Sequence, residues 1–269
     1  MKKLFVIKIG GNVIDNDTAL QSFLSILANC SNQISLADSK IILIHGGGKI
    51  ATKIGDQLGI ESKYINGRRI TDAATIDLVT MVYGGLVNKK IVAKLQALGC
   101  NAIGLTGADG NIIPAVKRPV KEIDYGFVGD VNSSKINSSL LDILLKQGIT
   151  PIIAPLTHDG NGQILNTNAD TIAATIAIAL ADLYDVRLIY CFEKKGILEN
   201  IADENSVIHL ITKEKYQQLL SEKKLFDGIL PKIDNAFAAI DNGVKEVLIG
   251  DAADLIQNTT ENTIGTLIK

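Results

Sequence analysis

The run LFVIKI at residues 4–9, stopped by Gly10-Gly11, and the run IILIH at 41–45, stopped by Gly46-Gly47-Gly48, decide how this chain folds. Each is a short, continuous apolar segment bounded by a turn signal, the pattern of a strand buried on both faces of a sheet. Between them Leu20, Phe23, Leu24 and Leu27 repeat at helical spacing, with Asp17 and Thr18 ahead of them as start signals.

Outward from these two runs the alternation continues. The spacing predicts a helix from Lys49, two helices over 73–83 and 88–98, a strand over 101–105, a helix over 137–147 and a strand over 150–154. Residues 111–131 are rich in Val, Ile and turn formers and predict hairpins. Asp159-Gly160-Asn161-Gly162 is a strong turn and the weakest point of the chain. It is expected to divide an N-lobe, 1–161, from a C-lobe, 162–269. After it, Asn168 is placed to cap a helix reaching Asp182. Then come a strand over 187–192, helices over 212–221 and 230–242, a strand over 245–249 and a short helix after Asp251. Such βα alternation argues an α/β fold with a mostly parallel sheet and helices on both faces.

With 269 residues, 46% of them apolar, the chain can bury a large core. Aromatics are 4% and Trp is absent, so Ile, Leu, Val and Ala must fill it. A formal net charge of −2 leaves no basic surplus for nucleic acid or an anionic membrane surface. The apolar stretch 169–183 is too short to span a bilayer and carries Asp near both ends. The N-terminal MKKLFVIKIGG has too short an apolar run for a signal peptide and contains Lys8. Cys30, Cys100 and Cys191 form no CxxC pair, which fits reduced thiols and a cytoplasmic location.

Both glycine turns follow buried strands, where open α/β sheets bind ligands. Bare N–H groups there can approach an anion; the plainer alternative is that glycine only makes the turns. Neither turn matches GxxxxGK[ST] or GxGxxG. Lys8 interrupts an apolar strand just before Gly10, so its ammonium either emerges at the ligand end or lies solvated on an edge strand. Lys232 follows Pro231 at a helix start, where an anion would offset its unfavourable place on the helix dipole; an exposed lysine costs only a few tenths of a kcal/mol there. In Asn166-Thr167-Asn168-Ala169-Asp170, capping and the dipole explain Asn168 and Asp170 but not Asn166. Arg68-Arg69 offers a guanidinium to a carboxylate, or a solvated pair.

No His/Cys/Asp spacing suggests zinc, and no Ser- or Cys-centred arrangement suggests a nucleophile. A carboxylate acceptor would need no base, since a free Glu side chain titrates near about 4.3. It would need relief of repulsion between anions, which lysines, backbone amides and a divalent cation supply.

The ordered set KIGGN (8–12), HGGGK (45–49), NGRRIT (66–71), GFVGDV (126–131), GQILNTNAD (162–170) and GILPKIDNA (228–236) resembles the acetylglutamate kinases of the amino-acid kinase family over nearly the whole chain. The resemblance implies a three-layer αβα sandwich with an open, mainly parallel central sheet. It implies an N-lobe that binds an acylated glutamate and forms a homodimer, and a C-lobe that binds ATP with Mg2+. The reaction implied is phosphorylation of the side-chain carboxylate to an acyl phosphate, in arginine or ornithine synthesis. Lys8 and Lys232 match the two lysines that stabilise the moving phosphoryl group, and Asp170 the carboxylate that orients them. Gly46, Gly47, Arg69 and Asn166 match substrate-binding positions, with Arg69 on the α-carboxylate. Gly10, Gly11, Glu193, Gly196, Ile197 and Leu198 fall on the nucleotide side, and 125–131 on a hairpin lid. Phe192-Glu193-Lys194-Lys195-Gly196-Ile197 departs from the family's usual Thr/Ser-Asp-Val-x-Gly-(Val/Ile), with Glu193 in place of Asp. Arginine-inhibited relatives carry an N-terminal helix before the first strand, so the expectation here is a dimer insensitive to arginine. The acyl group (acetyl or succinyl), a sister substrate such as carbamate, aspartate or free glutamate, and a non-catalytic ligand-binding regulator stand as alternatives.

Overall fold

The computed structural model describes residues 1–32, 39–65, 67–200, 202–222, 224–225 and 229–269; Asn66 and Gly228, which open two of the motifs, lie outside them. Among the described residues eight strands build one sheet. They are β1 (Lys3–Ile9), β2 (Lys40–His45), β3 (Ala102–Leu105), β4 (Thr150–Ile153), β5 (Asp185–Phe192), β6 (Leu210–Ile211), β7 (Glu246–Asp251) and β8 (Thr266–Ile268). Their order is β6-β8-β7-β5-β1-β2-β4-β3. Every pairing is parallel except that of β7 with β8.

Strand β1 lies inside this sheet, with Lys8 opposite Tyr190 on one side and Ile44 on the other. The edge-strand alternative for Lys8 is therefore wrong: the residue is only 9% exposed. Side chains alternate along β1. Leu4 and Val6 join one apolar core with the helix Ala169–Leu180; Phe5, Ile7 and Ile9 join the other with the helix Asp17–Asn32. Each fully buried aliphatic contributes about 1.5–3 kcal/mol. Two helical layers thus sandwich the sheet, and the period of two places Lys8 on the face covered by Ala169–Leu180.

The chain leaves β1 for β2 on one side, while its later strands add on the other from β5 onward. Such a switch point opens a crevice at the carboxyl ends of the strands. Gly10-Gly11 and Gly46-Gly47-Gly48 both stand there.

Two local features depart from the sequence reading, while the turn expected at 159–162 forms. The helices expected at 73–83 and 88–98 are one continuous run: Ala73–Val79, then a π-helical segment Thr80–Val87, then Asn88–Ala97. The Gly84-Gly85 pair interrupted the apolar period there and mimicked a break. Within 111–131 the structure forms a single hairpin, Ala115–Lys117 with Gly129–Val131. The turn at 159–162 closes a further hairpin, Leu156–His158 with Ile164–Asn166. Asp159 Oδ1 caps that turn by accepting from the N–H groups of Asn161 (2.7 Å) and Gln163 (3.1 Å).

Candidate active site

Two cavities of about 430 and 460 Å3 open at the switch point, and Lys232 lines both. The first contains Lys8, Gly10, Gly11, Glu193, Gly196, Ile197 and Leu198, so all six residues expected on the nucleotide side lie together. The second contains Gly46, Gly47, Arg69, Asn166 and Asp170, so all four expected amino-acid contacts lie together as well.

The two chambers are linked by charge. Lys8 Nζ stands 2.9 Å from Asp170 Oδ1, bringing the end of β1 against the first turn of Ala169–Leu180. Oδ1 is buried yet receives no aligned hydrogen bond, so the contact is an ion pair without hydrogen-bond geometry. Asn168 caps this helix as expected, accepting from Thr171 N at 3.0 Å. Lys232 sits in the first turn of Leu230–Asp241. Burial pulls its ammonium below the usual lysine range; Asp170 pushes it back up, and Lys8 pulls it down further. The last effect marks the two ammonium groups as near neighbours.

The glycines need separate accounts. Gly10 has φ −81° and ψ 169°, ordinary extended backbone. A Cβ there would meet nothing closer than 3.7 Å. Neither turn geometry nor crowding requires glycine at that position, so the plain turn reading does not explain it. Gly47 is different: φ is +156°, and a Cβ would lie 2.9 Å from the Tyr83 ring. The helices starting at Gly11, Gly48 and Leu230 have no side-chain cap. At Leu230 the first turn offers little, since Pro231 has no N–H and the Lys232 N–H donates to Ile229 O at 3.0 Å; the first turns at Gly11 and Gly48 line the chambers and suit anions.

His45 orients the second glycine loop, a role that sequence reasoning missed. Asn88 Nδ2 donates to His45 Nε2 at 3.1 Å and to Ile152 O at 2.9 Å. That assigns the proton to Nδ1, which donates to Gly46 O at 2.7 Å. Across a trans peptide the Gly47 N–H then points away from His45. Complete burial holds the imidazole neutral, with its pKa pushed down to about 4.

Arg69 is buried and held before any ligand arrives. Its guanidinium donates to Ser62 Oγ, to Gly48 O (2.9 Å) and to Thr52 Oγ1 (2.9 Å), and lies 4.8 Å from the centre of the Tyr64 ring. Asn166 Nδ2 donates to Thr71 Oγ1 at 3.1 Å, and its backbone N–H to Phe127 O at 2.9 Å. That second bond ties the 125–131 hairpin to the cavity wall. Gly126, with φ +73°, permits the approach: a Cβ there would fall 2.1 Å from Thr71 O. Arg118, which lines the same chamber, is clamped across the hairpin by Asp130 Oδ1 at 2.6 and 3.0 Å.

Asn12, Lys49 and Phe192 line the first chamber and were not anticipated as site residues. The first two lay inside the KIGGN and HGGGK motifs, which was the only available signal. The three cysteines are buried and free. No described helix is long and apolar enough to cross a membrane, and the described residues hold no group of three metal-ligating side chains.

Known proteins resemble this chain along nearly its whole length. Residues 3–251 match the model of the amino acid kinase family. An acetylglutamate kinase of Cytophaga hutchinsonii is 55% identical over 268 residues, 99% of this chain and 98% of its own. One from Phocaeicola vulgatus is 52% identical, over 100% and 99%. Among solved structures, the protein smu.665 of Streptococcus mutans UA159 superposes with a TM-score of 0.78 at 32% identity, covering 100% of this chain and 99% of that one. A Giardia lamblia carbamate kinase bound to AMP-PNP shares the fold, with a TM-score of 0.70 at 14% identity over 99% and 98%. The chain belongs to the amino acid kinase family, in its acetylglutamate kinase branch.

Proposed function

We propose that the chain transfers the γ-phosphoryl group of ATP to the γ-carboxylate of N-acetyl-L-glutamate, a step of arginine biosynthesis. The observation that carries this is the shared wall: Lys232 belongs to both chambers, and the Lys8–Asp170 pair spans them. The first chamber is suited to ATP, with its phosphates against Gly10, Gly11 and the two lysines. The second is suited to the acylated amino acid, with Arg69 and Asn166 holding the α-carboxylate end.

A γ-carboxylate oxygen attacks the γ-phosphorus, the bond from that phosphorus to the β,γ-bridging oxygen breaks, and ADP leaves. No proton moves, because the acceptor is already ionised. Catalysis then consists of positioning and charge: Lys8 and Lys232 offset the negative charge spread over the equatorial oxygens, and Asp170 orients them. A Mg2+ ion accompanying ATP would be held chiefly by the phosphates. Asp170, which lines the second chamber with Lys232, would be its protein carboxylate at the junction through Oδ2, since Oδ1 is buried against Lys8. Bound there, the ion would neutralise phosphate charge.

We assign residues 1–161 to an amino-acid lobe and 162–269 to an ATP lobe, with both lobes contributing to each chamber. We place the enzyme in the cytoplasm, where its three free thiols stay reduced. We expect a homodimer built on the N-lobe, where Met81 and Leu86 leave apolar surface exposed; light scattering on the purified protein tests this. The activity is tested by trapping the acyl phosphate as a hydroxamate. The panel is acetylglutamate, succinylglutamate, glutamate, aspartate and carbamate, each with ATP. Turnover highest with acetylglutamate supports the reading; preference for any other member overturns it.

A further inference from the structure

Lys232 has an unusual environment for a half-buried cation. Among the described residues its Nζ makes no hydrogen bond and no salt bridge. Its close contact is the ring of Phe192, whose centre lies 3.7 Å away. Lys8 Nζ stands 5.4 Å from the centre of the same ring. The two ammonium groups can therefore be no further apart than those two distances laid end to end. The ring is itself braced by Tyr190, with centroids 6.4 Å apart and planes inclined by 28°.

We propose that Phe192 is a positioning residue for phosphoryl transfer, its π-system serving as the common seat on which Lys232 and Lys8 are gathered before ATP binds. The inference rests on the function proposed above. Two like charges held together repel, and Asp170 is ion-paired to only one of them, Lys8. An aromatic face attracts a cation through its quadrupole without carrying a charge. It thus offsets the crowding of two ammonium groups and fixes their position. It also leaves Lys232 uncommitted. A carboxylate in the same place would have to be broken away when phosphate arrives, whereas an ammonium leaves a ring at little cost.

The test combines resonance and kinetics on the full chain. In protein labelled with 13Cε-lysine, the Lys232 ε-methylene proton signal, assigned by its loss in K232R, is expected to lie upfield of the other lysines under the Phe192 ring current. It should return to the ordinary lysine position in F192L and stay displaced in F192Y. In turnover, F192L should lower kcat by about threefold to tenfold, the range a single cation–π contact spans, with KM for acetylglutamate unchanged; F192Y should recover most of the loss. An ordinary Lys232 signal in the unsubstituted protein, or an F192L enzyme with undiminished kcat, overturns the proposal. Should F192L not fold, the signal in the unsubstituted protein and in F192Y decides it. Absence of turnover in the unsubstituted protein counts against the function instead, and the resonance still decides the seat.

Discussion

Lys8 on β1 and Asp170 at the start of Ala169–Leu180 meet at 2.9 Å, although 162 positions separate them in the chain. The strand contributes the lysine through its alternation and the helix contributes the carboxylate through its capped first turn. Neither neighbourhood alone makes a site.

Replacing Lys8 by Ala should lower kcat by about 100- to 1000-fold, the scale of one lost charge-stabilising group in a transition state. KM for acetylglutamate should hardly change, because the ammonium acts on charge that develops during transfer. Steady-state kinetics with both substrates varied checks this, and undiminished turnover would disprove the role.

Asp170→Asn should move the alkaline decline of kcat to lower pH. The Asp170 charge raises the pKa of Lys232, while burial and Lys8 lower it. Without the carboxylate, Lys232 gives up its proton earlier as pH rises. A pH–rate profile whose alkaline limb stays in place would refute the coupling.

Arg69→Ala should raise KM for acetylglutamate by about 10- to 100-fold, the equivalent of a charge-assisted hydrogen bond worth about 1.5–3 kcal/mol. KM for ATP should be preserved. The opposite pattern would move Arg69 to the nucleotide side.

His45 gives a stability signature. Its folded pKa is about 4 against an ordinary value of 6.5. The fold therefore prefers the neutral ring, and this contribution is complete above pH 6.5. It is lost as pH falls from there through about 4, a difference of roughly 3 kcal/mol. Denaturant unfolding of His45→Gln should show a flatter pH dependence across that window; an unchanged slope would sink the assignment.

Gly126→Ala should destabilise the protein by about 1–3 kcal/mol, since φ +73° disfavours a side chain. The added methyl also meets the Thr71 carbonyl oxygen. Urea unfolding with an unchanged m-value would report it.

The sequence disclosed the strands whose apolar runs end at glycines, and with them the ligand end of the sheet. Motif resemblance then sorted the site residues into two groups that match the two chambers. Other features could not be read because they depend on distant partners. The His45–Asn88 hydrogen bond joins a strand end to a helix separated by 43 positions. Phe192 looked like the last residue of an apolar strand, and only the arrival of Lys8 and Lys232 gives its ring cationic neighbours. Strands as short as Leu210–Ile211 and Thr266–Ile268 carry too few residues for a period to show. The widened turns at Thr80–Val87 obey no 3.6-residue rule.

Those widened turns fix a count as well as a shape. Ala73–Val79 and Asn88–Ala97 are phased to one another through them. Excising a single residue between would swing the second half by about 100° around its axis. Asn88 would then be carried off both His45 and Ile152. The stretch can thus change its letters more freely than its length.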